Sequence, residues 1–200
     1  SQSSLCALVH VCLAYVYFAA GRADPRLQRL ALTHCQHALE QLPDGHPSTL
    51  VAIRLLEAKV TRRSTQKGQS PSWTSDAKVA SILCEVALLR LQSLAEAQVV
   101  SRTVDGQEPE AGPSSLASDP VRDVLLGDQS GEVAQLMSYL RQELSNTLLR
   151  LLKVTDLSDA VLRDLKALYY SLLTAWHAET GQVEALTALS TQTRKLLEAI

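Results

Sequence analysis

The sequence predicts an all-α fold, antiparallel helical hairpins stacked as a solenoid of about six to seven helices with two long loops. Three observations predict it. Leu and Ala dominate the apolar residues while aromatics make up only 4%, a balance that favours helix over the β-branched, turn-rich text of a sandwich or barrel. Apolar residues recur at intervals of three and four, as in Val79, Ile82, Leu83, Val86, Leu89 and Leu94, which is the spacing of one buried helix face. Pro, Gly and Ser concentrate in two stretches, about 62–75 and 101–120, where no apolar period survives and a mobile loop is expected.

Bulk composition narrows the class further. A chain that is 46% hydrophobic and 20% charged is globular rather than disordered. Its net charge of -2, with both signs interspersed, supplies no field to draw in nucleic acid or an acidic membrane. Cys6, Cys12, Cys35 and Cys84 each sit in an apolar helical stretch without short-spaced partners. They read as reduced core residues in a reducing compartment, cytoplasmic and/or nuclear. The apolar run 5–20 lacks a basic leader, contains His10 and is short for a membrane span, so a buried helix is expected there. Apolar helices that run from Leu5 to Ile200 with no initiator Met suggest a piece of a longer protein, because a complete solenoid caps its ends with polar faces.

Helices are expected at about 4–20, 25–42, 47–62, 76–100, 131–154, 157–179 and 182–199, with a short one at 121–126. Gly21 is expected to end the first in a left-handed cap, and the Pro43-Asp-Gly-His-Pro47 segment cannot continue the second. Ser48, Ser75 or Asp76, and Asp156 or Ser158 are the expected N-caps of later helices. The stretch 131–154 carries Val133, Leu136, Met137, Leu140, Leu144, Leu148 and Leu151 as one apolar stripe, expected to pack on the hairpin 157–199.

An internal repeat sharpens the reading. Ala31, Cys35, Ala38 and Leu39 reappear 49 positions on as Ala80, Cys84, Ala87 and Leu88, small residues at the places where paired helices approach closely. In the first hairpin, His10, Leu13, Ala14, Tyr17 and Gly21 stand at the spacing W-x2-L-G-x2-Y plus a turn glycine, and Ala31-x3-Cys35-x2-Ala38-x4-Pro43 follows. Residues 7–45 therefore resemble one tetratricopeptide repeat. His10 replaces the family's Trp, Ala14 its Gly and Cys35 its Phe, and the turn is about five residues longer. The second hairpin, 47–100, matches in its second helix. The third, 157–199, keeps Tyr170, Leu173 and Gly181 but has Leu186 and Ser190 where Ala and a large apolar residue belong.

The resemblance implies a superhelix of helix pairs with a groove for a peptide or a partner helix. It places Leu8, Val11, Tyr15 and Phe18 in that groove, and because all four are apolar the face is expected to be covered, by a neighbouring repeat or by a partner. The expected function is a non-enzymatic protein–protein interaction scaffold, a subunit or segment of a larger intracellular assembly, with other proteins as partners and no nucleic acid or membrane span. The alternative is a regulatory helical domain acting on a catalytic or DNA-binding domain of the same parent chain. A complex partner predicts an exposed apolar face; a self-contained module predicts polar ends.

Competing chemistry finds little support. Cys6, His10, His34, Cys35 and His37 include a Cys and a His four apart, yet no tight C-x2-C or second spaced pair accompanies them, so neither metal nor cofactor is expected. Asp156, Asp159 and Asp164 crowd one helix start, where capping and the helix dipole explain them without catalysis. The Arg62-Arg63-Ser64-Thr65 segment and Ser70-Pro71 offer Ser64, Thr65 and Ser70 as phosphosites in a basic loop.

Overall fold

The computed structural model describes residues 2–22, 24–42, 47–64, 73–104 and 133–199. These residues form seven α-helices and no strand: α1 (Gln2–Ala20), α2 (Pro25–Gln41), α3 (Pro47–Ser64), α4 (Trp73–Val104), α5 (Val133–Leu151), α6 (Asp159–Ala178) and α7 (Gln182–Glu198). All seven fall where the apolar period places them. α4 is longer than expected at both ends, and the segment 121–126 lies outside the described residues.

Local chemistry sets the helix ends. At the α1–α2 turn, Asp24 accepts a hydrogen bond from the Arg26 N–H at 2.8 Å, and Pro25 follows in the first turn of the helix, where its missing N–H costs nothing. Gly21 does not take the left-handed conformation expected of it; among the described glycines only Gly181 has positive φ, at 70°. Gly21 is needed instead for close approach. A Cβ there would lie 2.7 Å from both the Leu27 Cβ and the Tyr17 carbonyl oxygen, and the buried Gln28 amide donates to the Gly21 carbonyl. Ser158 caps α6 by accepting from the Val161 N–H at 3.4 Å. Ser75 and Asp76 are not caps, because α4 begins at Trp73: Ser75 Oγ donates to the Thr61 carbonyl, and Asp76 pairs with Arg150 at 3.0 Å.

The described apolar residues settle into two cores that share α3. The first joins Val11 and Ala14 of α1 to Ala31, Cys35 and Ala38 of α2 and to Ile53, Leu56 and Val60 of α3. The second joins Val51, Leu55 and Ala58 of α3 to α4, α5, α6 and α7, with Leu140, Leu144, Leu148, Leu165, Leu172, Leu186 and Leu189 at its centre. Positions 51, 55 and 58 form one helical stripe and 53, 56 and 60 another, so α3 is apolar on two sides and serves as the wall between the cores. Both copies of the internal repeat are buried alike: Ala31, Cys35 and Ala38 in the first core, Ala80, Cys84 and Ala87 in the second.

The helix order follows. α1 packs on α2, α2 on α3, and α3 on α4, while α1 touches α3 only slightly; α4 is then covered by α5 and α7, and α6 pairs with α7. The stripe on α5 faces α4 far more than α6, against the expectation that it packs on the 157–199 hairpin. Polar ties set this arrangement. Arg62 of α3 binds Glu143 of α5 and donates to the fully buried Thr147 hydroxyl at 2.9 Å, and Arg150 donates to the same hydroxyl at 3.2 Å. Charge-assisted bonds of this kind pin the rotation of α5 about its axis, which an apolar stripe alone leaves soft.

Candidate interaction surfaces

α1 presents the first candidate. Nineteen residues pass without one Asp, Glu, Lys or Arg, and among its described side chains only Ala7, Val11 and Ala14 are fully buried. The opposite side carries Leu5, Val9, Cys12 and Val16 at steps of four, three and four, all exposed, with Leu5 at 64%, Val9 at 50% and Val16 at 58%. The expected buried helix is thus buried on one side only. Among the described helices, residues Ser3–Ala20 alone are long and apolar enough to cross a membrane by length and composition, a test that core helices and signal sequences also pass.

The four residues expected to line a groove on this helix are dispersed. Val11 is wholly buried against α2 and α3, so it is a core residue and cannot meet a partner. Leu8 and Phe18 are half-buried at the edge of the same core, and the Arg63 guanidinium sits 3.7 Å above the Phe18 ring while donating to the Phe18 carbonyl at 3.0 Å. Tyr15 remains open, 48% exposed. The exposed stripe lies one residue further along than the expected one, a rotation of about 100° about the helix axis. A helix apolar all round has no amphipathic phase, so periodicity could not choose the side.

A second surface was not anticipated. Leu39 and Leu42 of α2, Leu50 and Arg54 of α3, and Leu88, Leu89, Glu85 and Gln92 of α4 line an open, mainly apolar depression of about 480 Å³. Leu39 and Leu88 are the equivalent leucines of the internal repeat, and both face this depression. That coincidence was the available sequence signal: the small residues of the repeat bury themselves and the leucine beside them lines the gap. Its charges are already engaged. Arg54 pairs with Glu57 at 2.7 Å and with Glu85 at 3.6 Å, and Glu85 also holds Arg194 of α7 at 3.1 Å.

The remaining expected sites separate. His10, His34 and His37 come together between α1 and α2, while Cys6 is exposed on α1 and Cys35 is buried in the first core. The His37 ring stacks on His10 while His10 and His34 meet through their Nδ1 atoms at 2.9 Å, and among the described residues no group of three or more His, Cys, Asp or Glu is arranged to hold a metal. Burial pushes the Cys35 thiol up to about 12, helped by Glu57, and raises Cys84 still further. A thiol held protonated is a poor nucleophile. Asp156, Asp159 and Asp164 are all exposed at the start of α6. Ser64 belongs to the last turn of α3 rather than to a loop; its hydroxyl donates to the Thr61 carbonyl at 3.0 Å, and both neighbouring arginines are occupied. Added phosphate there would meet the negative end of a helix dipole, which argues against Ser64 as a docked phosphosite. Thr65 and Ser70 lie outside the described residues. No family model, curated protein or solved structure matches this chain.

Proposed function

We propose that the chain is a non-enzymatic protein–protein interaction module, a degenerate tetratricopeptide-like helical array within a larger intracellular assembly, whose partner docks on the outer side of α1. The observation that carries this reading is the stripe Leu5, Val9, Cys12 and Val16 on a helix without charge. Contiguous exposed apolar surface of that length is uncommon on a self-contained soluble monomer and marks a contact site. A partner presenting an apolar helix of its own fits best, since leucine- and valine-sized knobs spaced at three and four residues are what a facing helix buries. The depression between Leu39 and Leu88 supports the same mode of action, as a pocket for a side chain of a docked segment.

The test uses the full chain and two charge variants, Val9→Lys with Val16→Lys on the outer face and Leu88→Glu in the depression. Co-purifying proteins from lysate are compared across the three, with helicity followed by circular dichroism. Partners retained by the wild type, lost with the α1 variant and accompanied by unchanged helicity support the reading. A chain that stays monomeric and captures nothing refutes it. Flotation of the wild type with lipid vesicles, abolished by the same α1 variant, would reassign the face to a bilayer.

A further inference from the structure

The three histidines between α1 and α2 have no role in the surfaces above. His10 Nδ1 and His34 Nδ1 lie 2.9 Å apart, the His37 ring stacks on His10 at 5.2 Å between centroids, and the Tyr17 ring stacks on His34 at 5.5 Å. We propose that this triad is an acid sensor: when the His10 and His34 pair takes up two protons, the contact between α1 and α2 breaks and α1 swings off the first core. The inference holds whatever occupies the outer face of α1.

Proton counting gives the mechanism. An Nδ1 to Nδ1 hydrogen bond needs one ring with its proton on Nδ1 and the other with its proton on Nε2. A first added proton goes to the free Nε2 of the donor ring, and the resulting imidazolium still donates to its neighbour. A second must go to the acceptor's Nδ1. Two N–H groups then face each other at 2.9 Å, on two cations, with His37 stacked beside them. The His34 imidazole is already held below its ordinary value of 6.5 by burial first, then by the neighbouring His10 and His37. Its neutral form is the one the fold favours. Stability of the closed hairpin is therefore complete above about 6.5 and is lost as pH falls through the folded value.

Other groups around the triad leave that sign intact. Glu40 lies 3.5 Å from His37 Nδ1, but both side chains are largely exposed and solvent screens the pair. Tyr17 meets His34 through the face of its ring. From α3, Glu57 bears on Cys35 beside the cluster and is held by Arg54. Among the described helices α1 leans mainly on α2 and is tied to α3 by Arg63 on Phe18, and the second core contains no α1 residue, so the opening is local to the first core.

Hydrogen exchange on the intact chain, read as protection factors at pH 7.5, 6.0 and 5.0, tests the proposal. Protection of α1 is expected to fall about tenfold per pH unit below about 6.5, the slope for one proton taken up on opening, while α6 and α7 stay protected. His34→Gln should remove the pH dependence of α1. Unchanged α1 protection across the range, equal loss in α6 and α7, or an undiminished pH dependence in His34→Gln each overturns the proposal. Should that variant fail to fold, the wild-type imidazoles are titrated by NMR. A His34 midpoint coincident with α1 opening supports the sensor, and midpoints more than about one unit apart refute it.

Discussion

Replacing Val11 with Ala removes two methyl groups from a wholly buried site and tests which side of α1 is core. Val11 shares the first core with Ala31, Cys35 and Ala38 of α2, residues too small to fill the space it would leave, and with Ile53, Leu56 and Val60 of α3. The lost transfer free energy and the cavity together should cost about 2 kcal/mol. Val9→Ala and Val16→Ala remove the same atoms from positions half exposed to water, and should each change stability by less than about 0.5 kcal/mol. Urea denaturation followed by circular dichroism at 222 nm reads the difference. With a slope of about 2 kcal/mol per molar urea for a chain of this size, Val11→Ala should lower the midpoint by about 1 M and the others by less than about 0.3 M. Equal shifts for Val11 and Val9 would refute the assignment of sides, and a large effect at Val16 would mean that its face is already covered.

Glu179 ends α6 in the left-handed conformation at φ 56°, so Glu179→Gly should stabilise the chain by about 1 kcal/mol in the same denaturation assay. Gly21→Ala should destabilise it, because the added Cβ meets the Tyr17 carbonyl oxygen at 2.7 Å; a loss of thermal midpoint is the readout. A thiol-specific reagent at pH 8 should modify Cys6 and Cys12 quickly and leave the buried Cys35 and Cys84 until denaturant is added, as counted by mass spectrometry. Because both buried thiols titrate above their ordinary value of 9.0, stability should be intact below about pH 9 and fall as pH rises above it, where the unfolded thiols ionise first.

The path from sequence to structure was direct wherever the information is local. Helix positions follow from apolar spacing, Pro25 and Ser158 set starts, and the two copies of Ala-x3-Cys-x2-Ala are buried alike because small residues mark close helix contacts. The face of α1 was not legible, since Leu5, Leu8, Val9, Val11 and Val16 are equally apolar and only the position of α2 and α3 distinguishes Val11 from Val9. α3 hid its role for a related reason: two interleaved stripes cancel in any single-face reading, and both become meaningful only when a core lies on each side.

The sequence by itself determined that the described residues are helical, where their seven helices run and that two of them repeat one another, because those properties depend on residues within a few turns. The tertiary structure alone decided which sides are buried, that Leu39 and Leu88 face one depression, that Arg62 reaches Glu143 across 81 residues of chain, and that His10 meets His34. Each of these is a contact between distant segments, fixed by how uncharged α1 and double-sided α3 share out their apolar surface among their neighbours. Burial is a property of the pair of surfaces that meet, and no single stretch of sequence contains both.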